Sequence, residues 1–304
     1  MIRYITYKEI DKDKWDRCIG EAYNGIIFSY SWYLDSVCDQ WDALVEDDYK
    51  AVFPLPWKSK MNIHYIFQPF FSRSTGVFSK EVYPASRILE FFKLIPEKFR
   101  YINMGFDFYP DIQGWNFNIV QHVHQCINIK AGYASILENY SDNLKRNIKK
   151  ASTGTLIIRY DIDPADLVNL FRANKGQELH ILKENDYSRL LLLMKNCVTE
   201  NKGEAIGVYN KDNVLCSAAF FMYSHQRVIY LKGASSEAGR KNGAMHYLMD
   251  QYIQYSLGRA DVFDFGGSMI ESVARFFKSF GGVDTPYFHM TSNKLPWPLK
   301  LLKP

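Results

Sequence analysis

The stretch from Tyr230 to His246 contains the residue types of an anion-binding loop. An apolar strand pattern leads into a loop of small residues, and the loop leads into a predicted helix. That helix begins with Arg240, Lys241, Asn242, Gly243 and Ala244. Backbone N–H groups at a helix start are unpaired and partly positive, and small residues let an anion approach them. The pattern predicts a cradle for a phosphate or pyrophosphate, and the competing interpretation is a glycine-rich turn before a surface helix.

A second stretch, from Val262 to Gly282, ends a short apolar strand on a pair of glycines, Gly266 and Gly267. Paired glycines after a strand often mark the close approach of a ligand or of another backbone segment. The helix predicted after them presents Phe276, Phe277, Lys278 and Phe280. These features make the loop and the helix a second candidate region for binding.

A basic helix is predicted between residues 141 and 151. Its apolar residues Leu144, Ile148 and Ala151 fall on one side at helical spacing. Its basic residues are Lys145, Arg146, Lys149 and Lys150. Such a surface can bind the phosphates of a nucleotide-linked acceptor or of tRNA, and the alternative is an ordinary solvated face.

The histidines and cysteines favour a structural role over a metal site. His122 and His124 alternate on a predicted strand, and two histidines without a third ligand nearby are more typical of a structural role. The five cysteines are odd in number and form no CxxC pair, which favours a reducing compartment over a disulfide or zinc framework. Neither a GxSxG motif nor a cysteine–histidine signature of nucleophilic catalysis is present.

The composition is that of a globular protein. The chain has 304 residues, of which 47% are apolar and 23% charged, and its net charge is +4. That charge is smaller than a dedicated DNA-binding protein usually carries. The N-terminus is charged from its first residues, and the longest apolar run is far shorter than the roughly 20 residues of a membrane span. We therefore expect a cytoplasmic protein without an integral membrane span or a DNA partner.

Helix and strand patterns follow the same order in both halves of the chain, which predicts two domains, 1–134 and 135–304. Each half has a strand pair, a glycine-bearing loop, a helix and a short strand. In the first half these are 50–67, Gly76, 84–94 and 101–105, and in the second half 214–233, Gly239, 241–257 and 262–266. This order favours duplication of one α+β unit over a chance similarity of two mixed segments.

Several segments together resemble a known family. Gly239-Arg-Lys-Asn-Gly-Ala244 and the stretch from Phe263-Asp-Phe-Gly-Gly-Ser268 to Lys278-Ser-Phe-Gly-Gly282 are similar to motifs of the GNAT acyltransferase superfamily, in particular its Fem-type peptidyltransferases. Further pieces of the Fem-type pattern are Ser141–Ala151, Phe28–Leu34, and Gln68-Pro69 before Gly76. The resemblance spans roughly residues 25–290.

The resemblance implies an α+β fold of two tandem GNAT-like domains, each a mixed, mostly antiparallel sheet flanked by helices, with a cleft between them. It also implies transfer of an acyl or aminoacyl group from acyl-CoA or aminoacyl-tRNA to an amine, with a role in cell-envelope biosynthesis. The turn from Arg240 to Ala244 would hold the phosphates of the donor, and the backbone of Gly233 and Ala234 would hold its acyl group.

Two departures from the GNAT pattern concern the chemistry. Met245 stands where the pyrophosphate turn usually has a small residue. Phe277 stands where many GNAT enzymes have a tyrosine that protonates the leaving thiolate, and a phenyl ring cannot donate a proton. Lys278 is the Fem-like lysine of the same helix, and the resemblance implies that it stabilises the oxyanion; the alternative is a solvated helix lysine.

The substrate-binding residues implied for the acceptor are Trp32, Gln68, Arg73, Lys145, Arg146 and Ser268. The expected acceptor is a small-molecule amine or a nucleotide-linked amine, and no metal is expected. The competing hypothesis from another class is a binding module that has kept a GNAT-like fold and lost the chemistry, which Phe277 and Met245 favour.

Overall fold

The computed structural model describes residues 1–109, 117–176, 182–267, 270–297 and 299–302. Contacts between residues divide the chain into unit 1, residues 1–122 and 286–304, and unit 2, residues 123–285. The predicted domain boundary, between 1–134 and 135–304, separates the two copies of a repeated order of helices and strands. A division by contacts does not test that duplication boundary, which stays a prediction.

Unit 1 combines a sheet with three α-helices in its described part. Its strands are β1 (Ile2–Ile5), β2 (Trp41–Glu46), β3 (Ala51–Lys60), β4 (Ile63–Ile66), β5 (Phe78–Ser79), β6 (Phe99–Phe106), the start of β7 (Asn118–Asn128) and the end of β13 (Val283–Asn293). Its α-helices are α1 (Lys12–Glu21), α2 (Ser31–Val37) and α3 (Ala85–Lys93), and 3₁₀ turns lie at Tyr7–Glu9, Ile27–Ser29 and Leu299–Leu302.

The strand order in unit 1 is β1-β2-β3-β4-β6-β13, with β5 beside β3. The β4–β6 pair is parallel, and α3 lies between these two strands in the chain. The neighbouring pairs are antiparallel, as in β2–β3 and β6–β13. The core of this unit is rich in buried phenylalanines, among them Phe53, Phe92 and Phe106.

Unit 2 also consists of strands and helices. Its strands are the end of β7, β8 (Ile157–Tyr160), β9 (Gly203–Tyr209), β10 (Leu215–Ser224), β11 (Arg227–Ser235) and β12 (Val262–Asp264), and the start of β13. Its α-helices are α4 (Tyr133–Glu138), α5 (Asp142–Ser152), α6 (Pro164–Phe171), α7 (Glu184–Thr199), α8 (Glu237–Asn242), α9 (Ala244–Tyr255) and α10 (Glu271–Ser279). A π-helical turn, Arg172–Gly176, follows α6.

The strand order in unit 2 is β7-β12-β11-β10-β9-β8. The β11–β12 pair is parallel, and the other pairs between neighbours in this order are antiparallel. Aromatic rings fill the core between the sheet and its helices: the Phe221 and Tyr252 rings stack with centroids 3.6 Å apart, and Phe263 packs against both. Each unit thus contains one parallel strand pair joined by a connection that includes helix, within an otherwise antiparallel sheet.

Helix starts follow the sequence closely in two places. The Asp163 carboxylate accepts a hydrogen bond from the Ala165 N–H at 2.8 Å, ahead of Pro164 in the first turn of α6, which is the start that the sequence predicts. The Ser141 hydroxyl likewise accepts from the Leu144 N–H at 3.2 Å at the start of the basic helix α5.

The helix predicted at 241–257 differs from the observed structure. The chain forms α8 and α9 instead, and Gly243 between them has φ of 74°, in the left-handed region. A helix cannot continue through that conformation, and glycine adopts it at little cost.

Among the described residues, no helix has both the length and the apolar composition needed to cross a membrane.

Candidate functional site

Unit 2 contains a cavity of about 320 Å³ beside the end of β11. Its wall from the strand and from α8 consists of Tyr230, Gly233, Ala234, Ser235, Gly239 and Arg240. Its wall from the other helices consists of Met245 and His246 of α9, Ser272, Val273, Phe276 and Phe277 of α10, and Asn174. Both stretches that the sequence singles out therefore contribute to one cavity.

The cavity lies where β11 loses a neighbour. The last partners of the β11–β12 pair are Ile229 and Asp264, and β11 continues to Ser235 without a described strand on that side. On its other side, Phe220 of β10 pairs with Lys232 and Phe221 with Tyr230, so Leu231 is an extra residue that forms a β-bulge. A bulge changes the direction of the backbone next to it. The open edge and the bulge lie beside the cavity, whose wall includes Tyr230, Gly233, Ala234 and Ser235 of this strand.

Two glycines of the motif are explained by packing. A Cβ atom on Gly239 would clash with the carbonyl oxygen of Cys216, so glycine lets α8 lie directly on β10. Gly243 combines its positive φ with a position 3.2 Å from the Asn147 carbonyl oxygen, measured from a Cβ built on it. These requirements come from the contacts of α8 and α9 with β10 and α5, and a ligand is not needed to explain either glycine.

The backbone N–H groups available to an anion differ from those expected. The Gly239 N–H donates to the Ser236 hydroxyl at 3.1 Å, and the Arg240 N–H donates to the Ser236 carbonyl at 3.0 Å. At the start of α9, the N–H groups of Met245 and His246 have no partner within the described part of the chain. The unpaired backbone donors among the residues of the cavity wall therefore include those of the second helix, beyond Gly243.

Among the described residues of the cavity wall, one side chain, that of Arg240, carries a full charge. Arg240 is exposed at the rim, and its guanidinium donates to the Ser235 carbonyl at 3.0 Å. No aspartate or glutamate is among the described residues of the cavity wall. The described wall combines an apolar surface from Met245, Val273, Phe276 and Phe277 with the uncharged polar side chains of Asn174, Ser235 and Ser272, and Arg240 adds a positive charge.

Two titratable side chains in the wall were not among the sequence candidates. Burial lowers the pKa of His246, so its imidazole is neutral at pH 7, and its ring lies edge-on to Phe276 with centroids 5.0 Å apart. Burial raises the pKa of Tyr230, which is therefore a neutral phenol. These two residues are the first and the last of the stretch from Tyr230 to His246. Their residue types alone did not distinguish them from core residues. The fold brings them to one cavity, Tyr230 from β11 and His246 from α9.

The predicted donor-binding residues divide into two groups. Gly233, Ala234 and Arg240 line the cavity. The other four lie outside its described wall: Lys241 pairs with Glu237 at 2.6 Å, the Asn242 side chain accepts from the Ala244 N–H at 3.1 Å, and Gly243 and Ala244 are buried.

Lys278 is on α10 but does not line the cavity. Its ammonium forms an ion pair with the Asp284 carboxylate at 2.7 Å, while the cavity side of α10 is formed by Ser272, Val273, Phe276 and Phe277. Hydrogen bonds from Gln125 and Lys278 lower the pKa of Asp284.

The predicted acceptor residues of unit 1 have structural contacts. Trp32 stacks on Tyr30 with centroids 5.9 Å apart. The Gln68 side chain accepts from the Gly105 N–H at 2.8 Å and donates to the Ser72 carbonyl at 3.2 Å. Arg73 pairs with Asp107 at 3.1 Å.

The remaining acceptor candidates are Lys145 and Arg146, which lie on α5, half-buried and exposed respectively, and Ser268, which lies outside the described residues. Neither α5 residue lines the cavity as described.

A compact polar cluster lies elsewhere in unit 2. One ligand-type atom each of His124, Cys126 and Asp264 lies within 4.8 Å of the others. The Arg227 guanidinium donates to Asp264 at 3.0 Å and to the Cys126 sulfur at 3.5 Å. A fixed positive charge in that position disfavours a cation, so the arrangement is better explained as a charge-paired hydrogen-bond network.

Comparisons with known proteins identify the fold. No protein-family model matches the sequence, and no curated protein is significantly similar to it. The solved structure of FemX is similar with a TM-score of 0.72 and 14% identity over 99% of both chains. L-PGS from Bacillus licheniformis has a TM-score of 0.57 and 11% identity over 96% of this chain and 94% of that chain. A tandem GNAT protein from the clavulanic acid biosynthesis pathway has a TM-score of 0.53 and 9% identity over 97% and 99%.

The strand orders of the two units and these full-length similarities confirm the α+β fold class that the sequence predicts. The chain has the fold of the Fem-type tandem GNAT proteins.

Proposed function

We propose that this chain is an N-acyltransferase that moves an acyl group from a phosphate-bearing thioester, an acyl-CoA, to an amine. The observation that carries the proposal is the cavity at the open edge of β11, where an apolar wall adjoins Arg240 and the free N–H groups of Met245 and His246. An acyl-CoA has the matching parts, an apolar acyl-pantetheine arm and an anionic pyrophosphate. The likeness in fold to FemX and to a tandem GNAT protein supports the same class of reaction.

The wall favours an uncharged acyl group. Val273, Phe276, Phe277 and Met245 give it an apolar surface. The ammonium of an aminoacyl group would lose its water there, and no carboxylate of the described wall would pair with it. An aminoacyl-tRNA donor is the second candidate, supported by the basic helix α5 with Lys145 and Arg146 and by the similarity to FemX.

In the proposed reaction the amine nitrogen attacks the thioester carbonyl, the C–N bond forms and the C–S bond breaks. The neutral His246 imidazole accepts the proton that the amine nitrogen loses. Backbone N–H groups at the open edge of β11 supply hydrogen bonds to the developing oxyanion. The role of Lys278 at the oxyanion stays a prediction, because it requires the ammonium to leave Asp284.

For the acceptor we propose a small-molecule or nucleotide-linked amine of the cell envelope, made in the cytoplasm, with Trp32, Gln68 and Arg73 in its binding site. The likeness in fold to FemX and to a putative lysylphosphatidylglycerol synthetase domain supports an envelope role. Metals and DNA have no part in the proposal.

Isothermal titration of the full chain with CoA and with acyl-CoAs of increasing chain length tests the donor site. We expect binding by the wild type and a loss of about tenfold or more in affinity for Arg240→Ala, because a charge-assisted hydrogen bond is removed. Arg275→Ala is the matched control, since Arg275 is exposed on α10 and pairs with Glu271. Equal affinity in all three proteins would remove Arg240 from the donor site, and no binding of any CoA species would favour a module without this chemistry or an aminoacyl-tRNA donor.

A further inference from the structure

The cavity contains a phenol although the helix tyrosine of many GNAT enzymes is replaced by Phe277. Tyr230 comes from β11 and lines the same cavity as Phe277 of α10. Its ring lies edge-on to Phe277, with centroids 5.6 Å apart and an interplanar angle of 70°. The phenyl group at position 277 therefore acts as a support for a hydroxyl that reaches the cavity from the strand.

The hydroxyl of Tyr230 has a defined position. A Cβ atom built on Gly233 would overlap this hydroxyl and would lie 3.1 Å from the Met245 methyl carbon. The ring is also held by Phe221, at a centroid distance of 5.8 Å. The oxygen therefore lies against the backbone of Gly233, the segment proposed to hold the acyl group of the donor.

The same hydroxyl has no hydrogen-bond partner within the described residues, although its ring is packed in the core of unit 2. A tyrosine hydroxyl in such a position usually finds a protein partner. A free hydroxyl that faces a cavity beside the reaction centre is suited to a hydrogen bond with a bound ligand.

We propose that Tyr230 donates the proton that the leaving thiolate needs, in place of the absent helix tyrosine. This assignment depends on the proposed acyl transfer from a thioester. As the C–S bond breaks, its electron pair goes to sulfur and the phenolic proton moves to that sulfur, giving the thiol and a tyrosinate. The proton taken from the amine by His246 then returns to the tyrosinate through solvent, so that the net products are the amide and the thiol.

Two properties of the residue suit it to this step. Burial keeps the phenol protonated at neutral pH, so the donor is present before the reaction. Gly233 leaves room for the Tyr230 hydroxyl beside the strand. We expect Gly233→Ala to displace this hydroxyl and therefore to slow protonation of the leaving thiolate.

The test compares wild type, Tyr230→Phe and a control, Tyr255→Phe, in steady-state kinetics with an acyl-CoA and an amine. Tyr255 is on α9, 41% exposed and outside the described cavity wall. We expect Tyr230→Phe to lower kcat by about 100-fold or more, with CoA affinity unchanged, and Tyr255→Phe to resemble wild type. An aryl thiolate leaves without protonation, so an aryl thioester substrate does not need the proton donor. With that substrate, kcat of Tyr230→Phe should be within about threefold of the wild-type kcat.

The outcomes separate this proposal from the proposed function. If wild type turns over and Tyr230→Phe stays within about threefold of it, or loses as much with the aryl thioester as with acyl-CoA, Tyr230 is not the proton donor and the transferase assignment stands. If wild type neither binds CoA nor transfers an acyl group, both proposals are wrong.

Should Tyr230→Phe fail to fold, a fluorinated tyrosine at position 230 keeps the shape of the ring and lowers the pKa of the phenol. We expect kcat then to fall at high pH, where the donor is deprotonated. An unchanged pH profile with this residue would overturn the assignment.

Discussion

At the scale of single residues, the candidate site depends on Tyr230 and His246, whose residue types did not identify them in the sequence as functional residues. Arg240 was found from the sequence because a basic residue beside a loop of small residues is typical of an anion-binding turn, although the structure places it in the last turn of α8. Tyr230 and His246 were not found, because tyrosine and histidine at regular spacing more often belong to a core. In the structure, Tyr230 packs against Phe221 and Phe277, and His246 packs against Phe276. These contacts join separate segments of the chain, so the sequence pattern does not show them.

The pH dependence of turnover should report His246. Burial lowers its pKa below the usual value of 6.5, so the free base is present at pH 7 and is lost as the pH falls through that lowered pKa. We expect kcat/KM to rise with pH through an acidic limb below pH 6.5 and then to level off. In His246→Gln the limb should disappear and turnover should fall by about 100-fold.

An acidic limb that persists unchanged in His246→Gln would assign the titration to the substrate. The same lowered pKa affects stability, because the unfolded chain binds a proton that the folded chain resists. Stability of wild type should therefore increase with pH up to about 6.5, and this increase should be smaller in the variant.

At the scale of secondary-structure elements, sequence reasoning found most strands and helices around the site but not how they meet. The start of α6 at Asp163 was predictable because capping is local. The bulge at Leu231 was not, since it depends on the register between β10 and β11. The break at Gly243 was not predicted, because a glycine inside a helical pattern can either continue the helix or end it in the left-handed conformation. The left-handed conformation seen here accompanies a contact with α5, which the local sequence does not show.

Gly239 is expected to be required for packing. An alanine there would place its methyl group against the Cys216 carbonyl oxygen, so α8 would have to move away from β10. Gly239→Ala should lower the free energy of unfolding by about 1–3 kcal/mol in urea denaturation.

Gly20→Ala is a matched control for that experiment, because Gly20 lies in α1 and its added Cβ would be 3.4 Å from the Tyr30 hydroxyl, an ordinary contact. It should be neutral or stabilising by up to about 1 kcal/mol. Equal effects of the two substitutions would contradict the packing explanation.

At the scale of the whole molecule, the two units share a plan but differ at the edge that matters. In unit 2, β11 continues beyond its parallel pairing with β12 without a described strand on that side. In unit 1, the segment from Gln68 to Gly76, which follows β4, lies against β6, the strand that corresponds to β12 in the repeated order. The Thr75 N–H donates to the Gly105 carbonyl at 2.7 Å, and the Gly105 N–H donates to the Gln68 side chain at 2.8 Å. The tandem fold was predictable from the repeated order of elements together with the family resemblance. This difference between the repeats was not predictable, because it comes from a loop without regular structure.

In unit 1 the segment from Gln68 to Gly76 already forms hydrogen bonds with the backbone of β6, so we expect one donor site per chain, in unit 2. Isothermal titration with CoA should give a stoichiometry near one, and Gly105→Ala, which forces a methyl group against the Arg73 carbonyl, should destabilise the protein while leaving CoA affinity unchanged. A stoichiometry of two would mean that the segment from Gln68 to Gly76 moves to admit a second donor.

The most direct measurement is a crystal structure of the full chain with a non-reactive acyl-CoA analogue. We expect its carbonyl beside residues 230–235 of β11, its acyl chain against Phe276 and Phe277, and its pyrophosphate on Arg240 and the N–H groups of Met245 and His246. An analogue bound at another surface, with this cavity unoccupied, would contradict the assignment of the open edge of β11 as the donor site.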